Sequence, residues 1–292
     1  MEYIIHAYST ALFSSWINIE QLGILFDAGD GLSAGLLQKA HKIKHVFISH
    51  PDRDHLGGLL QFNQLNARPG FPVIYYPKDA GSFPALRDFQ NKFDPHVQLA
   101  KWEAIIDGSE IQIKKQLHVK AIRNEHIACD PGIHKSLGFK VFESRRKLKK
   151  EFQGLGEQEI KEIVLKKGRE FLTHELKRNV ISYSGDTPVD NYEKWDKSEI
   201  LIHEATFLKP EKDDAIESKG NKHSRIDEVF KMVSEIEVGS LILSHFSSRY
   251  SKEQIQASIR QMCKNFQIKI PVYAIYPGQI HRDLLKGEAL NA

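Results

Sequence analysis

The stretch Phe47-Ile48-Ser49-His50-Pro51-Asp52-Arg53-Asp54-His55-Leu56-Gly57-Gly58-Leu59 limits this chain more than any other. Four metal-type ligands, His50, Asp52, Asp54 and His55, fall within six residues, directly after an apolar run that reads as a strand. Imidazole and carboxylate are donors that borderline cations such as zinc accept. A loop leaving a strand end can turn several of them inward together. The Gly57-Gly58 pair lets the next helix start close to that loop. A polar turn with surface histidines is the plainer alternative. It loses ground because His126, Asp186, His203-Glu204, His223 and His245 recur later in the same strand-then-ligand pattern.

Short apolar runs alternate with helical patterns along the chain. Strands are predicted over 22–26, 45–49, 73–76, 181–183, 200–202 and 241–243, with helices over 33–41 and 56–66. Ser224 with Asp227, and Ser251 with Gln254, read as capping-box starts of two more helices. Ile226, Val229, Phe230 and Val233 recur at helical spacing in the first, and Ile255, Ile259 and Met262 in the second. The pattern is an α/β layered fold, with polar residues gathered where such folds place ligands, at strand C-terminal ends. Residues 1–292 read as a single domain. At 41% hydrophobic the chain is not a disordered one. No apolar run approaches the roughly 18 residues that span a bilayer. The first eight residues lack a secretory n-region. A cytoplasmic location with no membrane attachment is expected. Cys129 and Cys263 are too few for a disulfide framework or a CxxC zinc site.

One segment departs from the rest. Over 140–178, twelve basic side chains face seven acidic ones, a net of +5 against +3 for the whole chain. Ile160, Ile163 and Val164 share one helical face, so the segment reads as a basic helical insertion. It is either a solvated helical hairpin or a contact surface for a polyanion.

With these motifs in hand, the chain resembles the ribonuclease Z (tRNase Z) branch of the metallo-β-lactamase-fold hydrolases. The residues that carry the resemblance are the HxxxDH loop with Leu-Gly-Gly-Leu behind it, Phe-Asp-Ala-Gly-Asp-Gly at 26–31, Tyr-Ser-Gly-Asp-Thr at 183–187, Ile-His-Glu-Ala-Thr-Phe at 202–207, His223-Ser224 and Leu-Ser-His-Phe-Ser-Ser-Arg-Tyr at 243–250. The resemblance implies an αββα sandwich and two divalent cations, zinc first, with manganese or iron as alternatives. It implies that His50, Asp52 and His126 hold one cation and that Asp54, His55 and His245 hold the other, with Asp186 bridging. It implies that Glu204 orients His223, which protonates the leaving oxygen, and that Asp27 braces the metal loop. It also implies precursor tRNA as substrate, cleaved at its 3′ extension, and a homodimer in which one subunit grips the tRNA bound by the other.

Three departures from the family pattern stand out. Asp52 occupies a histidine position, and aspartate is a shorter, harder, anionic ligand. Residues 6–11 replace a Gly-rich loop. The basic segment 140–178 replaces a Gly-Pro-rich arm. Two alternatives therefore stay open: a metallo-hydrolase of a small phosphodiester or ester, and an inactive RNA-binding homologue. Two metals about 3.5–4 Å apart clamp a phosphodiester and lower the pKa of water from about 15.7 toward 7, and Asp54 can orient that nucleophile. His118, His134 and His281 receive no role.

Overall fold

The rings of Phe26 and Phe47 meet those of Phe139 and Tyr183 at the centre of the molecule. Phe26 lies 5.9 Å from Phe139 and 5.1 Å from Tyr183, and Phe47 lies 5.3 Å from Phe139. These four residues come from two different sheets, which pack face to face here. The computed structural model describes residues 3–93, 98–208 and 222–291.

The first sheet contains β1 (Ile5–Thr10), β2 (Ser14–Ile19), β3 (Ile24–Phe26), β4 (His45–Phe47), β5 (Val73–Pro77) and β6 (Lys101–Ile105), in that order. Its first three strands are antiparallel and β3 to β6 are parallel. The second sheet contains β7 (Glu110–Lys114), β8 (Leu117–Arg123), β9 (Leu137–Leu148), β10 (Thr173–Tyr183), β11 (Ser198–Glu204), β12 (Val238–Ser244) and β13 (Val272–Ala274). There β7 to β10 are antiparallel and β10 to β13 parallel. One apolar core fills the space between the sheets. A second lies outside the second sheet, under the helices Ile226–Glu235 and Lys252–Asn265. A third lies outside the first sheet, with Leu59 and Phe62 of the helix Leu59–Asn66 and Phe83 of the helix Ser82–Gln90. The layers are helix, sheet, sheet, helix, the αββα arrangement expected from the sequence. Burial of one face per element drives it.

The Ser251 cap is present: its hydroxyl accepts from Gln254 N, and Gln254 Oε1 accepts from Ser251 N. The other predicted cap is displaced by one residue. The helix is capped at Arg225, with Glu228 reaching back to the Arg225 N–H at 2.9 Å. The Ser224 hydroxyl instead donates to Thr187 O. The predicted helix over 56–66 is two pieces, Arg53–Leu56 and Leu59–Asn66. They are separated at Gly58, where a Cβ would sit 2.2 Å from Gly29 O.

The basic segment is not a helical hairpin. Strands β9 and β10 pair through it from Tyr183↔Phe139 to Thr173↔Leu148, and only the stretch between them is helical, chiefly Glu157–Lys167. The alternation of Leu137, Phe139 and Val141 seeds β9 on the inner face. Past Glu143 the strand continues with both faces exposed, held by its pairing with β10. Charge alone does not distinguish helix from ribbon, which is why the sequence misleads there.

Candidate metal centre

Asp27, the 50–55 loop, His126, Asp186, Glu204 and His245 all lie just beyond, or at, the C-terminal ends of strands β3, β4, β8, β10, β11 and β12. Both sheets therefore deliver their ligand-bearing loops to one edge of the sandwich. Asp186 Oδ2 lies 3.3 Å from His55 Nε2, 3.2 Å from His245 Nε2 and 3.7 Å from His50 Nε2. Asp52 Oδ2 lies 3.6 Å from both His50 Nε2 and His126 Nε2. Asp54 Oδ2 lies 3.5 Å from His55 Nε2 and 3.4 Å from His245 Nε2. All seven predicted ligands converge in overlapping groups: His50, Asp52 and His126 lie together, as do Asp54, His55 and His245, Asp186 groups with His50 and His55, and His223 joins both His126 with Asp186 and Glu204 with His245.

The four histidines are held in one tautomer by what their other nitrogen meets. His55 Nδ1–H donates to Asp27 Oδ2 at 2.8 Å, and His126 Nδ1–H donates to Lys222 O at 2.9 Å. Ser49 and Thr206 spend their hydroxyl protons on Asp27 and Glu204. Their oxygens are then acceptors for His50 Nδ1–H at 2.8 Å and His245 Nδ1–H at 3.0 Å. Every Nε2 lone pair thus faces the centre, the arrangement a metal-binding imidazole needs. Among the described residues, His50 Nε2 and His126 Nε2 are buried with no hydrogen-bond partner. Orphaned polar atoms are costly inside proteins. A cation between these nitrogens and the carboxylates satisfies them, so the donor set fits divalent metal.

Charge in the site is strongly polarised. Burial disfavours the Asp186 carboxylate, yet His245, His55 and His50 hold its pKa well below the usual range. His126, then His50, hold Asp52 down in the same way. Burial and the neighbouring His55 and His126 keep His50 from protonating. Asp27 accepts from Ser49 N, Ser49 Oγ and Tyr183 OH as well as from His55. That network ties β3, the metal loop and β10 together.

His223 stands at the rim, its Nδ1 3.0 Å from Glu204 Oε1. Glu204 also accepts from Thr187 N at 2.7 Å and from the Thr206 hydroxyl at 2.6 Å. Burial opposes a charged His223 ring, but the Glu204 carboxylate outweighs it and pushes the pKa up to about 9. His203, adjacent in sequence, points away from the cluster: it is buried and its Nδ1 meets its neighbour's carbonyl, Glu204 O. His134 bonds Asp107 N and lies outside the ligand groups, as do His118 and His281. Ser49, Thr206 and Tyr183 orient the ligands although their sequence motifs do not single them out for that role. The Lys222 carbonyl left no signal, because any residue supplies one.

Two sheets that bring seven metal-type ligands to one sandwich edge define a metallo-β-lactamase-fold hydrolase. The chain belongs to the ribonuclease Z family. It is 31% identical over 259 residues to the ribonuclease Z of Archaeoglobus fulgidus, covering 79% of each chain. It is 28% identical over 271 residues to tRNase Z TRZ1 of Arabidopsis thaliana, covering 88% of this chain and 90% of that one. Among solved structures it resembles the metallo-β-lactamase fold protein YhfI from Bacillus subtilis, with a TM-score of 0.62 at 14% identity over 96% of this chain and 98% of that one. Human tRNase Z, short form, superposes with a TM-score of 0.57 at 19% identity over 95% and 98%. No family model matches the chain.

Proposed function

We propose that this protein is an endoribonuclease that removes the 3′ extension of precursor tRNA. The reading rests on its relatives' names and on one observation: four imidazole Nε2 atoms and three carboxylates face a common centre, with the His223–Glu204 pair beside it. His50, Asp52 and His126 are assigned to one divalent cation, Asp54, His55 and His245 to the other, and Asp186 to both. Zinc is the first candidate for the metal. Bound cations of this kind lower the pKa of water toward 7 and offset charge on phosphoryl oxygens. Asp54, fixed by its two histidine neighbours, orients the attacking water. His223 carries the proton that the departing 3′ oxygen needs, and Glu204 both aims the ring and keeps it charged.

The β9–β10 ribbon supplies the second part of the reading. Its inner end joins the metal loop through Leu137 N and Ser49 O. Its far end, at Leu148 and Thr173, lies roughly 33 Å away along β10 at about 3.3 Å per residue. A basic tip that far from its own metal centre suits an RNA bound by a second subunit, so a homodimer is part of the proposal. A cytoplasmic location is also proposed. Among the described residues, no helix is long and apolar enough to cross a membrane.

The test is incubation of the metal-replete protein with a 3′-extended tRNA and, separately, with a small chromogenic phosphodiester. The expected products are a tRNA ending in a 3′ hydroxyl and a trailer with a 5′ phosphate. Turnover of the small ester alone would overturn the tRNA assignment. Fewer than one bound metal per chain would overturn catalysis altogether.

A further inference from the structure

Residues 6–11 carry none of the ligand or proton-transfer roles proposed for the metal centre. In the structure they run through β1 into a tight turn, Ala11-Leu12-Phe13, that leads into β2. The turn is pinned on several sides. Phe13 N–H donates to Thr10 O at 3.0 Å, and Ala11 N–H donates to Phe246 O at 3.1 Å, next to His245. Thr10 Oγ1 accepts from Gly278 N at 2.9 Å. Leu12 N–H donates to Asp54 Oδ2 at 3.1 Å, so the turn is bonded directly to a metal-loop carboxylate.

This pinned turn displays two apolar side chains. Leu12 is 87% exposed and Phe13 62% exposed, although both are large and apolar. Leu12 also sits at φ +70°, a left-handed conformation that Gly or Asn adopts at lower cost. Folding gains little from either side chain, and Leu12 adds strain. Strain and apolar exposure together, at the edge of a reactive centre, point to a ligand. An exposed apolar ring on a turn bonded to Asp54 matches the flat face of a nucleobase, which stacks whatever its identity.

Building on the RNA reading above, we propose that Leu12 and Phe13 form a shelf on which an unpaired base flanking the scissile phosphate stacks. The shelf makes the site prefer a single-stranded RNA end to a bare phosphodiester. Because Asp54 fixes the turn, the base and the reacting phosphate are placed by one rigid unit.

The test is a binding cycle that does not depend on turnover. An RNA stem with a single-stranded 3′ extension carries a non-hydrolysable phosphonate at the junction, and abasic nucleotides replace the extension and junction bases one at a time. Affinities are read by fluorescence anisotropy for the unaltered chain, Phe13→Ala and Phe13→Trp. Stacking of one base corresponds to a loss of about 5- to 150-fold for Phe13→Ala on intact RNA. No further loss is expected on the RNA lacking the base that stacks, and Phe13→Trp should bind at least as well as the unaltered chain. Equal losses on every abasic RNA would overturn the shelf. So would a change in oligomeric state by sedimentation, which would make the turn a contact between copies. If the unaltered chain fails to cleave the same RNA with a natural linkage but the cycle is base-dependent, the processing assignment falls and the shelf stands. If the unaltered chain binds no RNA at all, both fall.

Discussion

His50 and His126 reach the same oxygen of Asp52, each with its Nε2 at 3.6 Å. Each of the two proposed cation positions is thereby offered two imidazoles and two carboxylates, with Asp186 shared. They differ in exposure: the Asp52 side chain is 42% exposed and that of Asp54 11%. Asp52 is the least enclosed of the seven proposed ligands. Replacing it by histidine adds a donor that zinc favours and removes one that manganese favours. Asp52→His is expected to tighten zinc at the first position by on the order of 10-fold, measured by competition with a chromogenic chelator. Weaker zinc binding would show Asp52 to be the better-adapted group.

Asp27 touches no proposed cation, yet it holds His55, Ser49 and Tyr183 at once. It also sits at φ +55°, which asparagine tolerates. Asp27→Asn therefore preserves the backbone and removes the charge that holds the His55 tautomer. Loss of such an outer partner typically costs 10- to 100-fold in metal affinity. The drop should appear in zinc titrations while the far-ultraviolet circular dichroism stays unchanged. Undiminished affinity would assign Asp27 to folding alone.

The His223–Glu204 pair separates by leaving group. A 3′ alkoxide needs a proton as it departs; a p-nitrophenolate does not. His223→Ala should lower kcat on RNA by about 10²- to 10⁴-fold, and on the nitrophenyl ester far less. Against the opposing effect of burial, the Glu204 carboxylate pushes the His223 pKa up to about 9, so the ring holds its proton at neutral pH. Bound cations pull that value down, and Glu204→Gln pulls it down further by removing the opposing charge. The alkaline limb of the RNA rate profile should move to lower pH in Glu204→Gln. A limb that stays put would mean another group donates the proton.

Which parts of this site could be read in advance follows from the kind of signal each leaves. His50, Asp54, His55, Asp186 and His245 announce themselves because each follows an apolar strand, directly or within a short loop, whereas His223 follows a polar stretch and is read only through its motif with Ser224. The sandwich is legible for the same reason, since strands buried on both faces, such as Ile200–Leu201–Ile202, are continuous apolar runs. The β9–β10 ribbon is illegible beyond Glu143. Its outer half buries neither face, so no period of two survives in Ser144-Arg145-Arg146-Lys147. The helix at 157–167 has its apolar stripe, and that local signal spreads wrongly to the whole segment. The Ser224 cap fails because Ser224 is fully buried and takes Thr187 O as its partner, a contact 37 residues away that no local motif encodes.

Part of the ribbon's charge is already spent internally. Arg146 pairs with Glu170, Arg145 with Glu143 and Arg178 with Glu199, while Lys149 and Lys167 sit over the Phe171 ring. Exposed pairs of this kind are weak enough to yield to phosphates. Neutralising Arg145, Arg146, Lys147, Lys149 and Lys150 together should weaken RNA binding and flatten its salt dependence. Each phosphate contact removed lowers the slope of log affinity against log salt by about 0.9 on duplex RNA, taking the value for duplex DNA. An unchanged slope would make the ribbon an ordinary solvated hairpin.

His45 opens β4, far enough from the ligands to be read on its own. Its ring stacks on Tyr75 at 6.1 Å and meets Phe71 edge-on at 6.3 Å. Burial first, then the charges of Lys44 and Lys114, push its pKa down to about 4. In the unfolded chain the value is about 6.5. Between those pH values the unfolded state binds the extra proton. The stability that His45 contributes is therefore complete above about 6.5 and is lost as pH falls toward 4. The ring is only partly enclosed, so solvent screening holds the effect to about 1 kcal/mol. His45→Phe keeps the stacking and removes the titration. Its Tm should fall less between pH 7 and pH 4.5 than that of the unaltered chain, by about 2–4 °C. Parallel falls in the two proteins would place the acid sensitivity elsewhere, with the buried imidazoles of the metal centre the next group to vary.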